Sequence, residues 1–137
     1  MKREVYFGHL EAFGEENLAT ITVASNYALA LGKLERYAET KAVLRKMMPV
    51  AQRLLGENNY FTLKMRGLYA TVLYVDDGSS TQDDLREAVS TLEDTERTAR
   101  RVLGGAHPTV VELEAHLRAA RAVLRFRLSE ASSKTTN

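Results

Sequence analysis

The chain of 137 residues contains no cysteine, no tryptophan and only two prolines. Without cysteine it cannot form disulfides, thiolate metal sites or a thiol nucleophile. Its formal net charge is +1, so no global field favours nucleic acid or a membrane surface. No apolar run approaches the ~20 residues that cross a bilayer, and the N-terminus lacks the apolar region of a secretory signal. We therefore expect an intracellular, cytoplasmic protein with no nucleic-acid or membrane partner.

A short phrase occurs three times, at residues 13–17, 55–59 and 103–107. Each copy is a large apolar residue, then glycine, then a small polar cluster that leads into an amphipathic segment. The three glycines are separated by 42 and then 48 residues. Repetition at a period of 20–50 residues is typical of a repeat array, whose units stack to form a binding surface rather than a reaction centre.

Between these phrases the apolar residues recur at helical spacing, and no segment has a strand pattern. Glycine ends three of the segments, and Pro108 suits the first turn of the last one. The predicted helices cover residues 2–13, 17–32, 35–55, 60–76, 82–103 and 108–129. Superposing the glycines aligns the helices of successive units and leaves a six-residue insertion at 76–81. This segment is rich in turn-forming residues, so we expect its deletion to cost little stability.

The helix–turn–helix unit resembles the tetratricopeptide repeat, and the phrase Leu103-Gly104-Gly105-Ala106-His107-Pro108 is similar to the longer kinesin-light-chain type. The resemblance covers nearly the whole chain. It implies an all-α fold in which about six helices form a right-handed superhelical stack of antiparallel pairs, an α-solenoid. Residues 1–129 would form its single domain, and residues 130–137 a polar, flexible tail. It also implies a scaffold that binds a peptide or a helix of a protein partner in a concave groove.

The groove would be formed by the first helix of each unit. Superposing these helices gives the expected groove residues, which are Thr22, Lys64 and Glu112 at one level, and Asn26, Leu68 and His116 one turn further along. The family often carries an Asn-Asn pair at this second level, where it can bond the backbone of a bound peptide. Only Asn26 is retained here. His116 is equally compatible with binding and with simple exposure.

The first predicted helix has a different character, because its apolar stripe has a helix on one side only. The stripe consists of Val5, Tyr6, Leu10 and Phe13. Contiguous exposed apolar surface usually marks an interface. A second hypothesis is therefore a structural module that self-associates with another copy through this helix. A longer array or a partner that completes the stack would explain the same pattern.

The sequence arranges no residues for catalysis or metal binding. His9, His107 and His116 are far apart and share no helical spacing of a ligand pair. The four carboxylates of 76–84 lack the spacing of a calcium loop, and Thr81 as a helix N-cap explains them better. The arginines of the last two helices are interleaved with acids, which favours a solvated, ion-paired face. We expect no enzymatic activity, no cofactor and no metal.

Overall fold

The computed structural model describes residues 2–76 and 80–135, except the side chains of residues 134 and 135. These residues form α-helices and no β-strand. The helices are α1 (Lys2–Phe13), α2 (Leu18–Lys33), α3 (Tyr37–Leu55), α4 (Tyr60–Val75), α5 (Gln82–Leu103) and α6 (Pro108–Thr135). For this part of the chain, the predicted all-α fold with six helices is confirmed. None of these helices is both long and apolar enough to span a membrane.

Each helix packs against the next one along the chain, and α4 also contacts α2 and α6. The helices α2, α4 and α6 are therefore neighbours in one row. Helix α3 contacts α2 and α4, and α5 contacts α4 and α6. Among the described helices, α1 contacts α2 alone. The central position of α4 gives it four neighbouring helices, while α1 lies at an edge.

The three phrase glycines share one backbone geometry. Gly14, Gly56 and Gly104 have φ of +78°, +85° and +91°, and each donates its N–H to the carbonyl four residues earlier. A Cβ built on any of the three would meet no atom within 4 Å. Glycine is therefore needed here for the left-handed backbone conformation rather than for space.

The residue three positions after each glycine caps the next helix. The side chains of Asn17, Asn59 and His107 accept the backbone N–H two residues further on, at 2.9, 2.9 and 3.1 Å. His107 Nδ1 accepts a hydrogen bond only when it carries no proton, so this geometry requires the neutral ring with its proton on Nε2. The three units thus share the same helix-capping geometry, although the capping residue is asparagine in two of them and histidine in the third.

Helix α6 extends beyond residue 129, where the sequence predicts the end of the last helix. It continues from Pro108 to Thr135, so the predicted tail of 130–137 is helical as far as the structure describes it. No glycine or further proline interrupts this stretch, and residues such as Glu130 and Ala131 have good helix propensity. The polar composition of the segment was therefore a sign of exposure, not of a helix end.

The ends of the 76–81 insertion are built into the fold, although residues 77–79 lie outside the described part. Ser80 is buried, and its hydroxyl donates to the carbonyls of Leu73 and Asp76. Its own carbonyl accepts from Arg127 Nη1 at 2.8 Å. Asp76 forms an ion pair with Lys41 at 2.9 Å, with both side chains less than one-fifth exposed. We therefore expect deletion of 76–81 to destabilise the protein, contrary to the expectation from loop length.

Thr81 caps α5 as predicted. Its hydroxyl accepts the Asp84 N–H at 3.0 Å, and the Asp84 carboxylate accepts the Thr81 N–H at 3.0 Å. This reciprocal pair is a capping box, which satisfies two backbone donors at the helix start. The acids of this segment thus stabilise the helix in the way the spacing indicated.

Candidate binding groove

A groove of about 300 Å³ lies across α2, α4 and α6. All of its lining residues belong to these three helices. Helix α2 contributes Ser25, Asn26 and Leu29, helix α4 contributes Tyr60, Phe61, Leu63, Lys64, Gly67, Leu68 and Thr71, and helix α6 contributes Thr109, Glu112, Leu113 and His116. Half of the lining residues belong to α4, which is also the helix with the most neighbours.

The groove brings together most of the residues that superposition of the units predicted for it. These are Asn26, Lys64, Leu68, Glu112 and His116. Thr22 is the exception, because the groove contacts α2 at Ser25, Asn26 and Leu29 instead. The Thr22 hydroxyl donates to the carbonyl of Leu18 at 3.0 Å, within its own helix.

An offset between α2 and α4 explains why Thr22 lies outside the groove. A Cβ built on Gly32 would lie 3.4 Å from Leu68 Cδ1, so these two residues meet across the helix pair. The superposition had placed Leu68 level with Asn26. The two helices are therefore displaced along each other, and α2 contributes residues further along its length than sequence alignment indicates.

Apolar side chains and one glycine form much of the groove surface. Gly67 is buried, and a Cβ built on it would lie only 2.8 Å from Leu113 Cδ2. The missing side chain thus lets Leu113 of α6 come close to the α4 backbone. Leu29 and Phe61 are partly exposed in the same groove. Sequence reasoning missed these positions, although Leu29 shares a helix face with Asn26 at a spacing of three residues.

Two opposite charges line the groove. Lys64 lies on α4, with its Nζ 5.4 Å from the centroid of the Tyr60 ring, in a cation–π contact. Glu112 lies on α6 and is exposed. Within the described ranges neither side chain forms a salt bridge. Both charges are therefore available to a bound molecule.

His116 is half-buried and anchored rather than simply exposed. Its Nδ1 lies 2.5 Å from the Tyr74 hydroxyl, and the two ring centroids are 5.9 Å apart. Burial lowers the pKa of His116, with Glu112 acting in the opposite direction, and burial raises the pKa of Tyr74. Both shifts favour the uncharged forms of the two side chains, so the bond joins a phenol to a neutral imidazole. This bond links α4 to α6 beside the groove.

The residues predicted for self-association do not share one environment. Val5 and Phe13 are 47% and 61% exposed, and Leu10 is half-buried against the core. Tyr6 is only 2% exposed and stacks on Tyr27, with ring centroids 5.4 Å apart. Tyr6 therefore packs within the chain and does not belong to the exposed surface of α1.

Phe7 is a further exposed aromatic residue of α1 that the apolar stripe did not include. It is 46% exposed, lies 6.1 Å from the Tyr27 ring, and has the Arg3 guanidinium 5.5 Å from its centroid. Its position next to Tyr6 places it on the opposite flank of the helix from Val5. Helix α1 thus has apolar residues exposed on both flanks of the side that faces α2.

Several arginines of α5 and α6 pair with acids. Arg97 pairs with Asp94 at 3.2 Å, and Arg121 pairs with Glu93 at 3.3 Å. Arg100 contacts two glutamates, one on its own helix and one on α6. The described residues contain no group of three or more His, Asp or Glu side chains placed to hold a metal ion.

Comparison with models of known protein families finds no match, and no curated protein sequence matches the chain. The resemblance to tetratricopeptide repeats therefore stays a prediction.

Proposed function

We propose that this protein is a protein–protein interaction scaffold of the tetratricopeptide type. It binds a peptide or a helix of a partner in the groove across α2, α4 and α6, and its helices form a right-handed superhelical stack. One observation carries the proposal. Five of the six residues that superposition of the units predicts for the groove, although distant in sequence, line a single groove.

The composition of the groove supports a protein ligand. Apolar residues such as Leu29 and Phe61 would lose contact with water when a partner side chain covers them, which is the main source of affinity in such contacts. Lys64 and Glu112 would orient the partner, since each favours an opposite charge on it. The groove thus combines an apolar surface, which supplies affinity, with two separate charges, which determine the orientation of the bound partner.

Asn26 adds a polar contact of a different kind. It is exposed and lines the groove, so its side-chain amide can reach a bound molecule. An amide both donates and accepts, so it can pair with the backbone of an extended peptide. A helical partner would depend more on the apolar residues, because its backbone groups are already paired.

A matched pair of leucine substitutions tests the groove. Leu29 lines the groove and is 36% exposed, while Leu54 lies on α3, outside the groove, and is 45% exposed. Peptides would be selected by phage display against the wild-type protein and their affinities measured by fluorescence anisotropy. Leu29→Arg should weaken binding by about tenfold or more, and Leu54→Arg should leave it unchanged. Selection of no peptide, or equal effects of both substitutions, would contradict the proposal.

A charge-reversal pair sharpens the same test. Lys64→Glu with Glu112→Lys reverses both groove charges and keeps the net charge of the protein. Lys33→Glu with Glu130→Lys is the control, because both positions are exposed and lie outside the groove. In phage display, we expect the double variant in the groove to select peptides in which the positions of acidic and basic residues are exchanged. The control double variant should select the same peptides as wild type.

The exposed flank of α1 favours a second candidate function, a structural module that self-associates. Val5 and Phe13 are 47% and 61% exposed, and among the described helices α1 contacts only α2. Large apolar side chains concentrated at one edge favour contact with another protein surface. Mass in solution as a function of concentration, measured by sedimentation velocity, tests this candidate independently of the groove.

A further inference from the structure

The hydrogen bond between His116 and Tyr74 leaves one nitrogen of the imidazole ring for a bound molecule. His116 lines the groove, whereas Tyr74 lies on α4 outside the groove lining. The Tyr74 hydroxyl lies 2.5 Å from Nδ1, so this nitrogen is turned towards Tyr74. Nε2 lies on the other side of the same half-buried ring. It is therefore the ring nitrogen that a molecule in the groove can reach.

The acidity of the two groups favours one direction for this hydrogen bond. A phenol, with an ordinary pKa of about 10, is the stronger acid, and an imidazole nitrogen is a far stronger base than a phenol oxygen. The favoured arrangement has the Tyr74 hydroxyl donating to Nδ1. Burial lowers the pKa of His116, which favours the neutral ring with a single proton. When Nδ1 accepts, that proton is on Nε2, and the groove has an uncharged hydrogen-bond donor.

Glu112 restricts the kind of acceptor that can meet this donor. It lies four residues before His116 on α6, and both residues line the groove. Residues at this spacing are neighbours on one side of a helix, so a carboxylate placed at Nε2 would be repelled by Glu112. Lys64 of α4 offers an anion a better site in the same groove. An uncharged oxygen meets no such repulsion, so the position favours a carbonyl or hydroxyl group.

We propose that His116 is a specificity-determining residue of the groove, whose Nε2–H donates to an uncharged oxygen of the bound peptide. Tyr74 is a positioning residue that fixes the orientation and the tautomer of the ring. The inference rests on the proposed function, because the acceptor belongs to the peptide. A main-chain carbonyl and a side-chain amide or hydroxyl share this chemistry.

Nitrogen NMR of protein with isotope-labelled histidine tests the tautomer without a ligand. The chain has three histidines, and the other two supply a reference for each neutral form. His9 Nδ1 donates to the Val5 carbonyl at 3.0 Å, whereas His107 Nδ1 accepts the Thr109 N–H at 3.1 Å. At about pH 8, the His116 signals should resemble those of His107, with the proton on Nε2. Signals that resemble those of His9 overturn the proposal.

Peptides selected against the wild-type protein test the donor itself. His116→Phe keeps an aromatic ring and removes both nitrogens, so it should weaken binding by about threefold to tenfold. His116→Gln is the conservative variant, because its amide offers an oxygen to Tyr74 and an N–H to the peptide. It should restore most of the lost affinity. Circular dichroism checks that each variant is folded before affinities are compared.

A double-mutant cycle tests the positioning role of Tyr74. Tyr74→Phe removes only the hydroxyl and should weaken binding at least about twofold in the wild-type background. In the His116→Phe background it should have no effect, because Tyr74 acts on the peptide through the imidazole. Equal effects in both backgrounds would show a purely structural role for Tyr74 and would overturn this part of the proposal.

Alanine scanning of a selected peptide distinguishes the two sources of the oxygen. A side-chain acceptor is identified by one substitution that weakens binding to wild type and not to His116→Phe. If every substitution has the same effect on both proteins, the acceptor is a main-chain carbonyl.

Failure of this inference is distinguishable from failure of the proposed function. Peptides that lose affinity on Leu29→Arg, yet bind His116→Phe as tightly as wild type, overturn the role of His116 and leave groove binding intact. Selection of no peptide contradicts the proposed function and this inference together.

Discussion

Helices α4 and α1 differ in burial far more than in apolar content. Helix α4 contacts four other helices and buries eight of its residues, including Leu63, Met65 and Leu73. Helix α1 contacts only α2 and buries only Tyr6, although Val5, Phe7 and Phe13 are also large and apolar. The position of a helix in the row therefore decides how much of its apolar surface is covered. The central helix stabilises the fold, and the edge helix leaves surface available for another molecule.

The largest expected effect follows from this difference in burial. Leu63→Ala in α4 removes a fully buried side chain between several helices and should lower the free energy of unfolding by about 3–4 kcal/mol. Val5→Ala in α1 removes a side chain that is 47% exposed, and should cost no more than about 0.5 kcal/mol. Urea unfolding followed by circular dichroism measures both. If both variants lost a similar free energy of unfolding, Val5 of α1 would have to be covered by another molecule in solution.

The positions of the helices could be predicted because their ends carry local signals. Glycine in a left-handed conformation ends three helices, and side chains cap the starts of others, with Asn17 at α2, Asn59 at α4 and Thr81 at α5. These are interactions within a few residues, so they are visible in a single sequence. The end of α6 was misplaced because the segment after 129 has no stop signal, and only its polarity was used.

A matched pair of glycine substitutions should give effects of opposite sign. Gly56 has φ +85° and ψ 167°, a combination that residues with a Cβ rarely adopt, so Gly56→Ala should destabilise the protein by about 1–3 kcal/mol. Gly8 lies inside α1 and a Cβ there would meet no atom within 4 Å, so Gly8→Ala should stabilise the protein by about 0.5–1 kcal/mol.

Urea unfolding of Gly56→Ala and Gly8→Ala compares the free energy of unfolding lost at the junction after α3 with that gained within α1. Because neither substitution creates a clash, the contrast reports backbone conformation alone. Loss of stability at Gly8 would mean that another surface packs against α1 at that point. No loss at Gly56 would mean that the junction between α3 and α4 adopts a different backbone in solution.

The groove could be predicted only in part, because contacts between helices are not local. Superposition of the units found Lys64, Leu68 and Glu112, since equivalent residues point the same way in similar units. It placed Thr22 in the groove because it assumed that α2 and α4 are level, whereas Gly32 and Leu68 set an offset. The burial of Tyr6 was missed for a similar reason, as its stacking partner Tyr27 lies on the next helix.

The smallest expected effect is on the pH dependence of the free energy of unfolding, and it comes from His116, which is half-buried between α4 and α6. Burial lowers the pKa of His116 in the folded protein, so the unfolded chain, with an ordinary pKa of about 6.5, binds this proton more readily. The stabilisation from neutral His116 is therefore present above about pH 6.5 and is lost as the pH falls through the lowered folded value. His116→Gln removes the titration and keeps an amide oxygen that can accept from Tyr74. Free energies of unfolding would be measured in urea at about pH 7.5 and about pH 5. We expect a larger decrease on acidification for wild type than for His116→Gln, and an equal decrease would contradict the burial of this residue between α4 and α6.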